Sequence, residues 1–114
     1  MYENSLSEKR LFSRASVDCE LTISSANMPM LPVTAVNVSA SGIYCISSRS
    51  IGELTRVNIV LRISGGEEIP ARAVVIREEK LSDGSYGSGI FFTKITEQGR
   101  NAIINYTSNI ESTG

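Results

Sequence analysis

The sequence predicts a mainly all-β domain: a six-stranded antiparallel β-barrel with a single C-terminal α-helix. Three observations lead there. Apolar and polar residues alternate from about residue 16 to residue 92. Turn-forming residues interrupt that alternation at hairpin intervals. Only the segment after Thr96 changes to a helical period.

Each element follows in turn. Val17, Cys19, Leu21 and Ile23 alternate with Asp18, Glu20 and Thr22, the pattern of a half-buried strand. Residues 24–32 hold Pro29 and Pro32 without periodicity and read as a loop. Residues 33–38 form a second strand, with Thr34, Val36 and Val38 on one face. Residues 39–42 turn the chain, and Ile43 and Cys45 then point inward on a third strand. After a turn at residues 51–53, Val57, Ile59, Leu61 and Ile63 are the inward set of a fourth. Gly65 and Gly66 mark a hairpin, and residues 69–79 return as a fifth strand rich in Val and Ile. Residues 81–85 turn again, leading into a sixth strand over residues 86–92. Gly87 and Gly89 lie inside it, where glycine marks a bulge, a bend or close approach by another group. Thr96 suits a helix N-cap, Glu97 and Gln98 suit the first turn, and Ile103, Tyr106 and Ile110 share a face. Gly99 is expected to weaken that helix. The helix covers one opening of the barrel.

At 114 residues there is room for one core. The expected organisation is an N-terminal arm over residues 1–8, one barrel domain over 9–109 including the helix, and a frayed tail over 110–114. Apolar runs such as Ile59-Val60-Leu61 are far too short to span a bilayer. The first ten residues lack the apolar stretch and cleavage site of a signal peptide, so the chain reads as cytoplasmic. No membrane contact is expected.

Composition also narrows the chemistry. Histidine is absent, which removes His-based acid–base catalysis and Ser-His-Asp triads. Glu53, Glu67, Glu68, Glu78, Glu79 and Asp83 are scattered, with no pair set on an apolar background. The expectation is a protein that is not an enzyme. Two cysteines, Cys19 and Cys45, cannot complete a four-ligand zinc site and read as buried thiols. A net charge of −1 gives no basic surplus for long nucleic acids. The one concentrated cationic stretch is Lys9, Arg10 and Arg14, so a bound anion there is small.

Two motifs stand out: Arg10-Leu-Phe-Ser-Arg14 and Asn37-Val-Ser39-Ala-Ser41-Gly42. Arginine offers a planar fork to phosphate oxygens or to the O6/N7 edge of guanine. Asn37 and Ser39 supply short directional donors and acceptors, and Gly42 admits close approach of the backbone. If the first two strands pair antiparallel, the start of one lies beside the end of the other. Both motifs then meet at one rim, as a site for a phosphorylated guanine ligand.

These residues resemble the signature of the PilZ domain family of bacterial cyclic di-GMP receptors. That signature is Arg-x-x-x-Arg before the first strand, then Asp/Asn-x-Ser-x-x-Gly at the turn between the second and third strands. Residues 86–92, Tyr-Gly-Ser-Gly-Ile-Phe-Phe, are similar to the family's final-strand pattern. The resemblance spans about residues 8–108 and implies the same barrel with a C-terminal helix. It implies cyclic di-GMP as ligand, with no cofactor besides. Arg10 and Arg14 would grip guanine and phosphate, while Asn37, Ser39 and Gly42 contact the other guanine and the sugar-phosphate ring. Lys9 holds the position that influences whether one ligand or a stacked pair binds. Ser41 stands where the family often has glycine, and Gly89 is a further candidate in the final strand. The implied role is a stand-alone receptor or adaptor acting through a protein partner, with motility, pili, exopolysaccharide or virulence as outputs. The alternatives are a ligand-independent scaffold of this fold and a small barrel for single-stranded nucleic acid. The second lacks its basic groove and has no Trp.

Overall fold

The computed structural model describes residues 19–113, with side chains through residue 108. Expectations for the arm, for Val17, for the Ile110 side chain and for Gly114 lie outside the described residues, while residues 110–113 of the expected tail continue the C-terminal helix. Six strands follow in order: β1 (Cys19–Ser25), β2 (Met28–Val38), β3 (Gly42–Ser47), β4 (Arg56–Ile63), β5 (Glu68–Lys80) and β6 (Tyr86–Ile95). A helix, α1 (Glu97–Thr113), ends the described chain. The strands close into an antiparallel barrel, as the sequence predicts, in the order β1-β2-β3-β6-β5-β4.

The barrel is filled by the inward residues of every strand. Ile23, Cys45, Ile59, Leu61 and Val75 are almost wholly buried, and Phe92 packs with them. Cutting such a side chain to alanine typically costs about 2–5 kcal/mol, from lost transfer energy plus a cavity. From α1, Ile103 is fully buried in the same cluster, so the helix plugs one end. Thr96 caps it: the Gly99 amide donates to Thr96 Oγ1 at 3.0 Å. Gly99 has a packing role that propensity alone does not reveal. A Cβ there would lie 2.6 Å from Ile69 Cγ2, so glycine lets the first turn rest on β5. No helix among the described residues is long and apolar enough to cross a membrane.

Three details differ from the expectation. Residues 24–32 are not a loop: Ala26 and Asn27 make a tight turn, and β2 starts at Met28. β3 pairs with β2 only from Thr34 onward, leaving residues 28–33 on an edge that tolerates proline's missing N–H. Second, Thr34, Val36 and Val38 do not share a face. Ala35 pairs with Cys45 and Asn37 with Tyr44, so Val36 is the extra residue of a β-bulge. Thr34 is exposed, Ala35 and Val38 point inward, and the bulge turns Asn37 outward. Third, Cys45 is buried and its thiol is pushed up to about 12 by desolvation, but Cys19 at the barrel mouth is only half-buried. Cys45 is a free thiol.

Candidate functional site

The register Leu21↔Val33 carries the start of β1 to the level of Ala35, near the end of β2. The turn over residues 39–41 sits at this same rim, and so does α1. Arg100 Nη1 donates to the Ala40 carbonyl at 2.9 Å, tying helix to turn. The antiparallel β1–β2 pairing that the sequence argument requires is therefore present. Lys9, Arg10 and Arg14 themselves lie outside the described residues.

The turn is built by its own motif. The Ser39 amide donates to the Gly42 carbonyl at 2.9 Å. Ser39 Oγ accepts from the amides of Ser41 and Gly42, both at 3.3 Å, and lies 3.2 Å from Ser41 Oγ. The Phe92 amide donates to the Ser41 carbonyl at 3.0 Å, pinning the turn to β6. Gly42 is required by contact: a Cβ would collide with the Ile90 carbonyl oxygen. Ser39 and Gly42 thus shape the turn, whatever else they bind.

Outside the barrel, beside this turn, lies an open depression of about 230 Å³. It brings together Asn37, Ser39, Ser41, Gly42 and Gly89, five of the residues the sequence singles out. The Asn37 side chain is exposed and has no hydrogen-bond partner among the described residues. Gly89 forms part of the surface for a different reason from Gly42. A Cβ at Gly89 would make only an ordinary 3.9 Å contact with Arg77 Cβ. Packing does not demand glycine there, but an open surface does.

Three lining residues escape sequence reasoning. Tyr44, Ile76 and Phe91 add aromatic and aliphatic walls. Ile76 is 56% exposed and Phe91 48%, large apolar surfaces left uncovered by the fold. Phe91 was open to inference, since it occupies the outward phase between inward Ile90 and Phe92. Ile76 was not: it is a bulge residue, skipped between the pairs Val75↔Ile90 and Arg77↔Gly89. Tyr44 reaches across β6, its hydroxyl donating to Glu79 Oε2 at 2.9 Å. It passes over Gly87, where a Cβ would strike the phenol oxygen. That close approach accounts for one of the two internal glycines.

Chemically, the depression offers an amide, hydroxyls, bare backbone and apolar walls. Among the described residues, its lining holds no formal cation. Its volume is below the roughly 300–1,000 Å³ of pockets that enclose a drug-sized ligand, so by itself it does not enclose one. No cluster of three or more potential metal ligands exists among the described residues.

The model of the PilZ domain family matches residues 8–109. No curated protein matches the chain. Among solved structures, the Bacillus subtilis inhibitor of motility, MotI/DgrA, is similar with a TM-score of 0.72 at 16% identity. The similarity covers 87% of this chain and 48% of that one, so this chain spans about half the length of that protein. At that identity the likeness is one of fold.

Proposed function

The chain belongs to the PilZ domain family, a family of binding modules rather than enzymes, and we propose that it is a cyclic di-GMP receptor. It passes the level of that second messenger to a protein partner in the cytoplasm. The observation that carries this reading is the depression itself. It gathers Asn37, Ser39, Ser41, Gly42 and Gly89 at the rim where the chain enters β1. In this reading Asn37 and the Ser39–Gly42 turn meet a guanine and the sugar-phosphate ring. Phe91 and Ile76 offer apolar surface to a base, and Gly89 keeps the wall open. In this reading the phosphate charge is met by Arg10 and Arg14 from the segment before β1. Lys9, beside that pair, bears on whether one ligand or two stacked ligands are held. Motility is the output to test first, since an inhibitor of motility shares the fold.

Calorimetric titration tests the proposal, with GTP and a short oligonucleotide as controls. Arg10→Ala and Arg14→Ala should each weaken binding of cyclic di-GMP ten- to a hundred-fold. A charge-assisted hydrogen bond is worth about 1.5–3 kcal/mol, and about 1.4 kcal/mol is a decade of affinity. Lysine should rescue poorly, because it keeps the charge but loses the planar fork. Absence of binding at high micromolar ligand would sink the receptor reading and leave the ligand-independent scaffold. Undiminished binding by the double alanine variant would remove the arginines from the site.

A further inference from the structure

We propose that the outer face of β4, β5 and β6 docks an acidic segment of the protein partner. This rests on the reading above only for there being a partner. This face carries a pattern of charge that folding alone does not favour. Across the three strands, Asn58, Arg72 and Lys94 form one row, and Arg56, Val74 and Phe91 form the next. Arg72 and Lys94 are directly paired on neighbouring strands, both exposed. Like charges in that position repel and destabilise a sheet. No acid among the described residues relieves them: the one ion pair there, Arg62 with Glu68, lies farther toward the β4–β5 hairpin. Glu79, on the same face, is held by the Tyr44 hydroxyl.

A chain of net charge −1 thus keeps a local cluster of unpaired cations on one sheet face. Arg56, Arg72 and Lys94 surround Val74 and border exposed Phe91. An acidic strand or helix carrying an apolar residue complements that arrangement: carboxylates toward the cations, the apolar side chain on Val74 and Phe91. Charge complementarity of this kind fixes register and speeds association. Phe91 also walls the depression, so the partner and a ligand in it would share a boundary.

The test uses the ligand-free protein, so it succeeds or fails independently of cyclic di-GMP. A fluorescent peptide rich in Glu and Asp with one Phe is titrated into wild type, Arg72→Gln/Lys94→Gln, and Arg49→Gln/Lys80→Gln. The last pair removes equal charge from the far end of the barrel. Wild type should bind with an affinity that falls as salt rises. The Arg72/Lys94 variant should lose about tenfold while melting at the same or a higher temperature. The Arg49/Lys80 variant should bind as wild type does. Equal loss in both variants, or no binding by wild type, overturns the proposal. Tighter binding of an oligonucleotide or of phosphatidylglycerol vesicles through the same two cations overturns it in favour of a different anion.

Discussion

The two ends of the barrel handle their polar groups in opposite ways. At the end formed by residues 48–55 and 81–85, side chains close the loops on themselves. Glu78 accepts from Ser50 Oγ at 2.6 Å, from the Ile51 amide at 2.8 Å and from the Gly52 amide at 3.1 Å. Glu53 accepts from the Glu78 amide at 3.0 Å, and Asp83 accepts from both the amide and the hydroxyl of Ser85. At the helix end, the turn's hydroxyls make only long contacts of 3.2–3.3 Å with one another and with their own backbone. Asn37 beside them has no partner among the described residues. A rim whose donors and acceptors are already matched gains little from a ligand. A rim that leaves them open, next to bare glycine and uncovered Phe91, has binding energy still to be realised.

Removing Glu78 leaves two loop amides and a hydroxyl without their charged acceptor, so Glu78→Ala should destabilise by about 1.5–3 kcal/mol. Burial works to raise the Glu78 pKa, but the bonds from Ser50, Gly52 and Ile51 outweigh it and hold the group below its ordinary value. The Ser88 hydroxyl, buried without a hydrogen bond of regular geometry, adds a smaller contribution in the same direction. With the folded pKa depressed, this stabilisation is complete above the unfolded value, about 4.3. It disappears as the pH falls from there through the folded value. Denaturant melts of wild type and variant should therefore differ at pH 7 and converge in acid. Ligand affinity should be unchanged.

The two glycines of the open end sharpen the contrast next. Gly42→Ala forces a methyl against the Ile90 backbone carbonyl, which cannot swing aside, and should destabilise by about 1–3 kcal/mol. Gly89→Ala meets only an ordinary contact, and should change the melt by no more than about 0.5 kcal/mol. Under the receptor reading it nonetheless weakens cyclic di-GMP, because the methyl enters the depression. Equal stability losses at both positions would mean that the open surface at Gly89 is ordinary packing.

What could be read in the sequence followed the clean periods. Val57, Ile59 and Leu61 give the phase of β4 without ambiguity, and all three are buried. β2 was harder because two prolines hid its start and a bulge at Val36 reversed its phase. A bulge is defined by two residues facing one on a partner strand, so a single strand's sequence does not display it. The same device hid Ile76. The motif Asn37 to Gly42 was legible as chemistry, but its outward aim depends on that bulge. The Glu78 network left no local signature, since its donors stand at Ser50, Ile51 and Gly52, far away along the chain. Gly87 was visible as an anomaly, and its cause became clear only with Tyr44 lying across it.

The most direct test of the contrast between the ends is a two-dimensional amide NMR titration of the isotope-labelled protein with cyclic di-GMP. The account predicts that the signals of Asn37, Ser39, Ser41, Gly42, Gly89 and Phe91 shift in proportion to occupancy. Those of Ser50, Ile51, Gly52 and Ser85 at the other end should stay in place. Shifts concentrated at Ser50–Gly52, or saturated ligand with no movement around the Asn37–Gly42 turn, would contradict it.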